Sequence, residues 1–176
     1  LDFLDWVKGR ASLIPPRAMI FVGGNFEEAG EEFKKYFIEL GGLRQDERIL
    51  EVGCGIGRMA VPLTSYVSRE GEYWGFDIVK VGIEWCREKI SSRFGNFHFQ
   101  YVDVRNKNYN PLGAKHARDF RFPFEDQYFD FVLVTSVFTH MLPSDVENYL
   151  SEISRLLRVD GRCLFTFFLL DAESQD

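Results

Sequence analysis

The stretch ILEVGCGIGRMAVPL, residues 49–63, decides the fold. A short apolar run contains an acidic residue, Glu51, and three glycines follow at alternate positions before an apolar segment with helical spacing. Gly53, Gly55 and Gly57 fall where a buried strand turns into a helix, and the missing Cβ atoms let a ligand approach the backbone there. The stretch predicts a ligand site at the first strand-to-helix turn of an α/β sheet.

Beyond this stretch, strand-length apolar runs alternate with helical patterns. The helical patterns VGIEWCREKISSRFG and SDVENYLSEISRLLRVDG join the second run to the third and the fourth to the fifth. This order predicts an α/β fold: a Rossmann-like, doubly wound, mostly parallel sheet with helices on both faces. The runs, rich in β-branched and aromatic residues as buried strands are, read RILEVG, EYWGFDIV, FHFQYVDV, FDFVLVTS and RCLFTFFLL.

The chain divides into two parts. Residues 1–45 are expected to form an N-terminal arm and a cap helix, and residues 46–176 the core. In the cap helix, Asn25 is the predicted N-cap with Glu28 as its capping-box partner, and Gly41 stands where the helix should stop.

Local signals also predict how the later elements begin. Ser144 and Glu147 have the spacing of a capping box at the start of the last helix. Pro62 removes a donor from the helix after the glycines, which predicts a late helix start or a kink. The polar loop 105–121 has no helical period, and a loop that long is usually functional.

Composition restricts the partners. A net charge of −6 and a pI near 5.2 argue against nucleic acid or anionic membrane, which need a basic face. Cys54, Cys86 and Cys163 are far apart without a C-x-x-C pair, so they read as reduced thiols with no metal site. The N-terminus does not look like a secretory signal, and the longest apolar run is about half or less of a membrane span. We expect a cytoplasmic, soluble protein.

The spacing of the glycines leaves two ligand classes open, a dinucleotide or an adenosyl cofactor. In the dinucleotide fingerprint G-x-G-x-x-G the third glycine would fall at position 58, which is Arg58 here. That mismatch favours the adenosyl cofactor.

The next two strands also end in acids. Asp77 ends the second strand, where a carboxylate can accept hydrogen bonds from both ribose hydroxyls. Ile78 can offer an apolar face to adenine. Asp103 ends the third strand and can accept from an exocyclic amine, while the Val104 amide donates to the ring. Each acid alone could be a solvated loop or capping residue; together with Glu51 and the glycines they favour a cofactor site.

The motifs ILEVGCGIG, WGFDIV, YVDV, FPFEDQYFDFVLVTSVFTHML and EISRLLRVDGRCLFTFF together resemble the successive motifs of class I S-adenosylmethionine-dependent methyltransferases. The resemblance covers roughly residues 46–170 and is closest to the bacterial small-molecule branch. It implies that Glu51 and the glycine turn with Cys54 lie against the methionine and ribose of S-adenosylmethionine. It also implies that Asp77 holds the ribose, that Asp103 and Val104 read the adenine, and that Thr135 lies beside the methionine. The family's sheet has seven strands, the last two an antiparallel hairpin that is apparently absent from this chain.

The acceptor side is less defined. His140 follows the fourth strand, and an imidazole there can take a proton from an acceptor hydroxyl; the other interpretation is that it caps a turn or packs under the next helix. The chain has neither the Asp/Asn-Pro-Pro-aromatic motif of DNA amino-methyltransferases nor, at Thr135, the acid of metal-dependent catechol-type enzymes. Neither subclass is supported, and we expect a small-molecule acceptor, with oxygen slightly favoured as the methylated atom.

Three other functions remain open. They are a nicotinamide-dependent oxidoreductase, an aminopropyl transferase that uses a decarboxylated cofactor, and a catalytically silent cofactor-binding module that serves a partner.

Overall fold

The computed structural model describes residues 13–20 and 23–167. Its strands are β1 (Arg48–Val52), β2 (Glu72–Asp77), β3 (Phe97–Tyr101), β4 (Phe129–Val134) and β5 (Leu157–Phe165). Its α-helices are α1 (Phe26–Glu39), α2 (Ala60–Leu63), α3 (Lys80–Cys86) and α4 (Pro143–Leu156). A π-helical segment, Arg87–Ser91, continues α3, and 3-10 turns lie at Arg17–Met19, Ala117–Asp119 and Phe138–His140.

The strands form one sheet in the order β3-β2-β1-β4-β5, with every neighbouring pair parallel. β1 is central, and the chain moves outward from it first through β2 and β3 and then through β4 and β5. The direction therefore reverses between β1 and β4, and at such a switch point the ends of two strands open a crevice. This order confirms the predicted α/β, Rossmann-like fold.

Each face of the sheet is covered by its own hydrophobic core, as expected for near-continuous apolar strands. One core joins β1 and β2 to α1, α2 and α3 and includes Phe37, Tyr73 and Ile83, all fully buried. The other joins the opposite face to α4 and the segment 117–124 and includes Phe122 and Phe129. Helices on both faces hold the two halves of the crevice in fixed positions.

The predicted N-cap of the cap helix, Asn25, is confirmed, but Glu28 takes part through its backbone N–H and does not form the predicted capping box. The Asn25 Oδ1 atom accepts hydrogen bonds from the backbone N–H groups of Glu27 (3.0 Å) and Glu28 (3.3 Å), which satisfies two donors that the helix cannot. The α-helix after the glycines starts late, at Ala60, as predicted. Pro62 is its third residue, so the missing N–H falls in the first turn of the helix.

The predicted start of the last helix is wrong. α4 begins at Pro143 after the N-cap Leu142, and not after Ser144. The Asp145 carboxylate accepts from the Leu142 N–H at 3.4 Å, so Asp145 has the role assigned to Glu147. Proline is favoured in the first turn because its φ is preset and its missing donor costs nothing there. The end also differs, because the stretch from Leu157 that was assigned to the helix belongs to β5.

The long loop after β3 is held in a defined shape. Its backbone forms bridges between Val104 and Lys115 and between Asn106 and Asn110. The Asn106 side chain accepts from the N–H groups of Asn108 (3.0 Å) and Tyr109 (3.2 Å). These contacts bring the loop back over the carboxyl ends of the strands. Among residues 13–20 and 23–167, no helix is long and apolar enough to cross a membrane.

Candidate cofactor and active site

A cavity opens at the carboxyl ends of β1, β2 and β4, at the switch point of the sheet. Most of its surface is apolar, with a few polar groups among aromatic and aliphatic side chains, as is usual for small-molecule sites. Nine of the residues predicted from the sequence line it: Glu51, Gly53, Cys54, Gly55, Asp77, Ile78, Val104, Thr135 and His140. Gly57 and Asp103 do not.

The glycine turn has no room for side chains. Gly53, Gly55 and Gly57 have φ angles of 77°, 56° and 83°, which side chains disfavour. A Cβ at Gly53 would lie 2.4 Å from Val137 Cγ2. A Cβ at Gly57 would lie 2.9 Å from Ile90 Cδ1, so this glycine serves the packing of the helical segment after β2. The first two glycines shape the cavity wall and the third fixes the turn from behind.

Asp77 links the end of β2 to the glycine turn. Its Oδ2 atom accepts from the Gly55 N–H and its Oδ1 atom from the Val79 N–H, each at 2.7 Å. The residue is 8% exposed. Burial raises the pKa of the Asp77 carboxyl, and the backbone donors partly offset that increase. Asp77 therefore presents a buried carboxylate to the cavity and also fixes the turn that forms its wall.

Glu51 is the second buried acid of the cavity, 2% exposed. It accepts a hydrogen bond from the phenol of Tyr73, which is completely buried. Burial raises the pKa of the Glu51 carboxyl to about 8; the Tyr73 hydrogen bond opposes the increase, the charge of Asp77 adds to it, and the charge of Arg58 opposes it. A carboxylate this desolvated is costly unless it meets a cation.

Asp103 lies outside the cavity, exposed beside the loop after β3. Its Oδ1 atom accepts from the Asn110 side chain (3.1 Å) and from the Tyr101 hydroxyl (3.2 Å). Hydrogen bonding by Asn110 lowers the pKa of the Asp103 carboxyl. The Asn110 amide also donates to the Val104 carbonyl at 3.1 Å, so Asp103 and Asn110 fix the backbone on which Val104 faces the cavity.

The part of the cavity where the sequence predicts the acceptor is formed after β4. Thr135 is buried, and the next residue, Ser136, has a positive φ of 57°. His140 is exposed at the end of the 3-10 turn and lines the cavity. The ring of Tyr109 meets the His140 ring edge to face, with 5.6 Å between centroids. The long loop therefore reaches the residue that the sequence singled out as a base.

Several lining residues were not predicted from the sequence. Phe33 of α1 lines the cavity although its pattern favoured core packing, and Tyr109 comes from a loop without periodicity. Tyr149 of α4 and Met141 also contribute. Phe33 and Tyr149 lie at helical spacings typical of core, and Tyr109 carries no local signal, so only the length of its loop indicated a functional role.

The residues present fit an adenosyl cofactor. Two buried carboxylates, Glu51 and Asp77, suit a cationic amino acid portion and a ribose, and Ile78 and Val104 suit an apolar ring. Gly53 and Gly55 line the cavity, and a ligand can approach their backbone closely. In the part of the chain that the structure describes, no group of three or more His, Cys, Asp or Glu side chains is placed to hold a metal ion.

The sheet order and this cavity define a Rossmann-like cofactor-binding domain. The sequence pattern of the family described as "Methyltransferase domain" matches residues 50–165. The chain belongs to this family, the class I methyltransferases whose cofactor is S-adenosylmethionine.

Two curated relatives illustrate the similarity. The ubiquinone/menaquinone biosynthesis C-methyltransferase UbiE of Erwinia tasmaniensis is 27% identical over 136 residues, 77% of this chain and 48% of that protein. The O-methyltransferase cnsE of Penicillium expansum is 27% identical over 134 residues, 75% of this chain and 42% of that protein. The chain thus spans about half the length of the curated relatives it matches.

Two solved structures share the fold. The PH0226 protein of Pyrococcus horikoshii superposes with a TM-score of 0.63 at 21% identity and covers 93% of this chain and 66% of that one. PKMT2 of Rickettsia typhi, solved in complex with S-adenosylhomocysteine, superposes with a TM-score of 0.54 at 18% identity. The superposition covers 70% of this chain and 21% of that one.

Proposed function

We propose that this protein transfers a methyl group from S-adenosylmethionine to a small-molecule acceptor, with oxygen as the favoured atom. The observation that carries the proposal is the cavity wall, in which a glycine turn lies between two buried carboxylates at the ends of neighbouring strands. The family match supports the reaction class. Relatives named as C- and O-methyltransferases show that the acceptor atom varies among similar proteins.

The cofactor-binding roles follow from the chemistry of the lining. Glu51 faces the positively charged amino acid portion, and Asp77 accepts hydrogen bonds from the ribose hydroxyls. Ile78 and Val104 contact the adenine, and Asp103, which lies outside the cavity, acts through Asn110 on the backbone that carries Val104. Gly53, Cys54, Gly55 and Gly57 form the turn, and Thr135 borders the methionine end.

When bound, S-adenosylmethionine supplies a methyl group on a positively charged sulfur that leaves as a neutral thioether. The protein therefore needs to align the acceptor and exclude water more than it needs to stabilise an anion. The apolar lining and the loop that carries Tyr109 serve that purpose. His140 acts as the general base that removes the proton of an acceptor hydroxyl.

Calorimetric titration of the purified chain with S-adenosylhomocysteine, in parallel with NADH, tests the cofactor. We expect binding of S-adenosylhomocysteine alone, weakened by about 1.5–3 kcal/mol in Asp77→Ala because hydrogen bonds to a charged acceptor are lost. Asp46→Ala, which removes an exposed carboxylate outside the cavity, is the matched control. Binding of NADH instead, or equal affinity in Asp77→Ala, would contradict the assignment.

A second assay tests the reaction itself. S-adenosylhomocysteine formation is measured over a panel of phenols, carboxylates, amines and carbon nucleophiles. We expect turnover with a hydroxyl acceptor that falls ~10²-fold or more in His140→Ala while cofactor affinity is unchanged. Binding without turnover on any acceptor would favour the silent module.

A further inference from the structure

Tyr73 is a buried polar residue that does not line the cavity, yet its phenol contacts a residue that does. We propose that Tyr73 is a positioning residue of the cofactor site. Its hydroxyl orients the Glu51 carboxyl group and favours its ionised form, so that the second carboxylate oxygen is presented to the ammonium group of the cofactor's amino acid portion. This inference rests on the proposed function, because it takes S-adenosylmethionine as the ligand.

The register of the sheet produces the contact. β1 and β2 pair with Ile49 opposite Tyr73 and Glu51 opposite Gly75, so Glu51 and Tyr73 are diagonal neighbours on one face. Gly75 places no side chain between them. A Cβ there would lie 2.9 Å from both the Cβ and the Sγ of Cys54, so the sheet leaves this space to the turn and to the Tyr73–Glu51 pair.

Of the two carboxylate oxygens of Glu51, one accepts a hydrogen bond within the described residues. Tyr73 donates to Oε2, and Oε1 accepts no hydrogen bond from the described residues. The carboxylate is 2% exposed while its residue lines the cavity. Oε1 is not one of the fully buried side-chain atoms that lack a partner, so it is the oxygen of Glu51 that reaches the cavity and can accept from a ligand donor.

The charges around Glu51 determine how binding depends on pH. The titratable groups that act on it or are acted on by it come from every element packed there: Tyr73 and Asp77 of β2, Arg58 and Cys54 of the glycine turn, and Cys86 of α3. With a pKa of about 8, the free protein holds Glu51 mostly protonated at neutral pH. Binding of a cation requires the ionised form, so a proton leaves as the ligand enters.

The direction of the effect follows. Below pH 8 the affinity for S-adenosylhomocysteine, which keeps the ammonium group, should rise with pH by up to about tenfold per unit and then level off. Tyr73→Phe removes the donor that favours the ionised form, so the midpoint should move up by about one pH unit or more. Affinity near pH 7 should then fall about tenfold.

The experiment is calorimetric titration of the full chain with S-adenosylhomocysteine between pH 6 and pH 9. Each pH is run in two buffers of different ionisation enthalpy, so that the heats report protons released. The variants are Tyr73→Phe, Glu51→Gln and the double variant. Tyr66→Phe is the matched control, because it removes a phenol that donates to the Leu43 carbonyl at 2.6 Å, away from the cavity. Thermal melts confirm that each variant folds.

At pH 7 we expect the wild type to release close to one proton on binding and Glu51→Gln to release almost none. In Tyr73→Phe alone, the midpoint of the curve of affinity against pH should move to higher pH. In the Glu51→Gln background, removal of the Tyr73 hydroxyl should leave the pH profile unchanged. A Tyr73→Phe profile that matches the wild type and Tyr66→Phe would overturn the inference and leave the cofactor assignment intact. Absence of binding in the wild type at every pH would instead refute the proposed function.

Discussion

At the scale of single residues, the buried acid of β1 combines two opposing requirements. The role proposed for Glu51 needs an ionised carboxylate at the cavity, yet burial disfavours that form. The free protein bears this cost, because a group arranged for a ligand is poorly arranged for stability. The conflict has a measurable consequence in the unfolding of the free protein.

Ionisation of Glu51 should make the free energy of unfolding depend on pH. Its pKa is raised from 4.5 to about 8 on folding, so between these values the folded state binds a proton that the unfolded state has released. Stability should therefore fall as pH rises from about 5 to about 8, by up to about 1.4 kcal/mol per unit from this group. Glu51→Gln should flatten the slope and be more stable than the wild type at pH 8.

Urea unfolding at pH 5, 6, 7 and 8 measures this slope. Glu125→Gln, which changes an exposed carboxylate, is the control and should retain the slope of the wild type. If Glu51→Gln and the wild type lose stability in parallel, Glu51 is ionised in the free protein.

At the scale of elements, the cap helix α1 forms part of the cavity wall. Gly30 of α1 packs against the backbone that follows the glycine turn, where a Cβ would lie 2.6 Å from the Arg58 carbonyl oxygen and 3.3 Å from Pro62 Cγ. Phe33, one turn further along, lines the cavity. The position of α1 therefore determines both the turn and one wall.

The substitution Gly30→Ala should push α1 away from the backbone at Arg58. In an exposed helix the change would be stabilising by about 1 kcal/mol, but here the collision with a backbone carbonyl should make it destabilising by about 1–3 kcal/mol. The displaced Arg58 backbone should also weaken S-adenosylhomocysteine binding. Chemical unfolding and calorimetry measure the two effects, and Gly95→Ala, where a Cβ would meet nothing within 4 Å, is the control. Unchanged stability in Gly30→Ala would show that α1 can shift without cost.

The sequence predicted those parts of the site that local pattern determines. Strand runs that end in acids placed Glu51 and Asp77 at the cavity, because parallel strands end on the same edge. The contact between Glu51 and Tyr73 could not be predicted, because it depends on the register of two strands. Asp103 was predicted from its strand end, but the Asn110 amide that holds it comes from a loop without periodicity.

The start of α4 was misread for a related reason. Ser144 has the favoured chemistry of an N-cap, but Pro143 before it is better placed in the first turn of a helix than before one. Two local rules competed, and the backbone preference of proline prevailed.

At the scale of the whole molecule, a partly buried ion pair connects the start of the sheet to its edge strand. Arg162 of β5 donates to both carboxylate oxygens of Glu47, each at 2.8 Å, and to the Gly41 carbonyl at 2.9 Å. Glu47 is 2% exposed. Residues more than a hundred positions apart thus join the end of α1, the start of β1 and the edge strand.

Arg162→Ala should destabilise the fold by about 3 kcal/mol, because it leaves a buried carboxylate with only the exposed Arg44 as partner. Urea unfolding provides the measurement. Lys80→Ala breaks the exposed pair with Glu84 and should cost less than about 0.5 kcal/mol. Similar losses in the two variants would mean that the carboxylate of Glu47 is readily hydrated without Arg162.

The burial of Cys54 has a consequence for chemical selectivity. Any enzyme that stores an activated methyl group must protect its own nucleophiles, and a thiolate is the most reactive of these. Cys54 belongs to the turn that forms the cavity wall, yet its sulfur lies against Gly75 beneath that wall, and burial raises its pKa well above the ordinary value. The sulfur is thereby kept as a neutral thiol, which is a much weaker nucleophile towards a methyl sulfonium than a thiolate is.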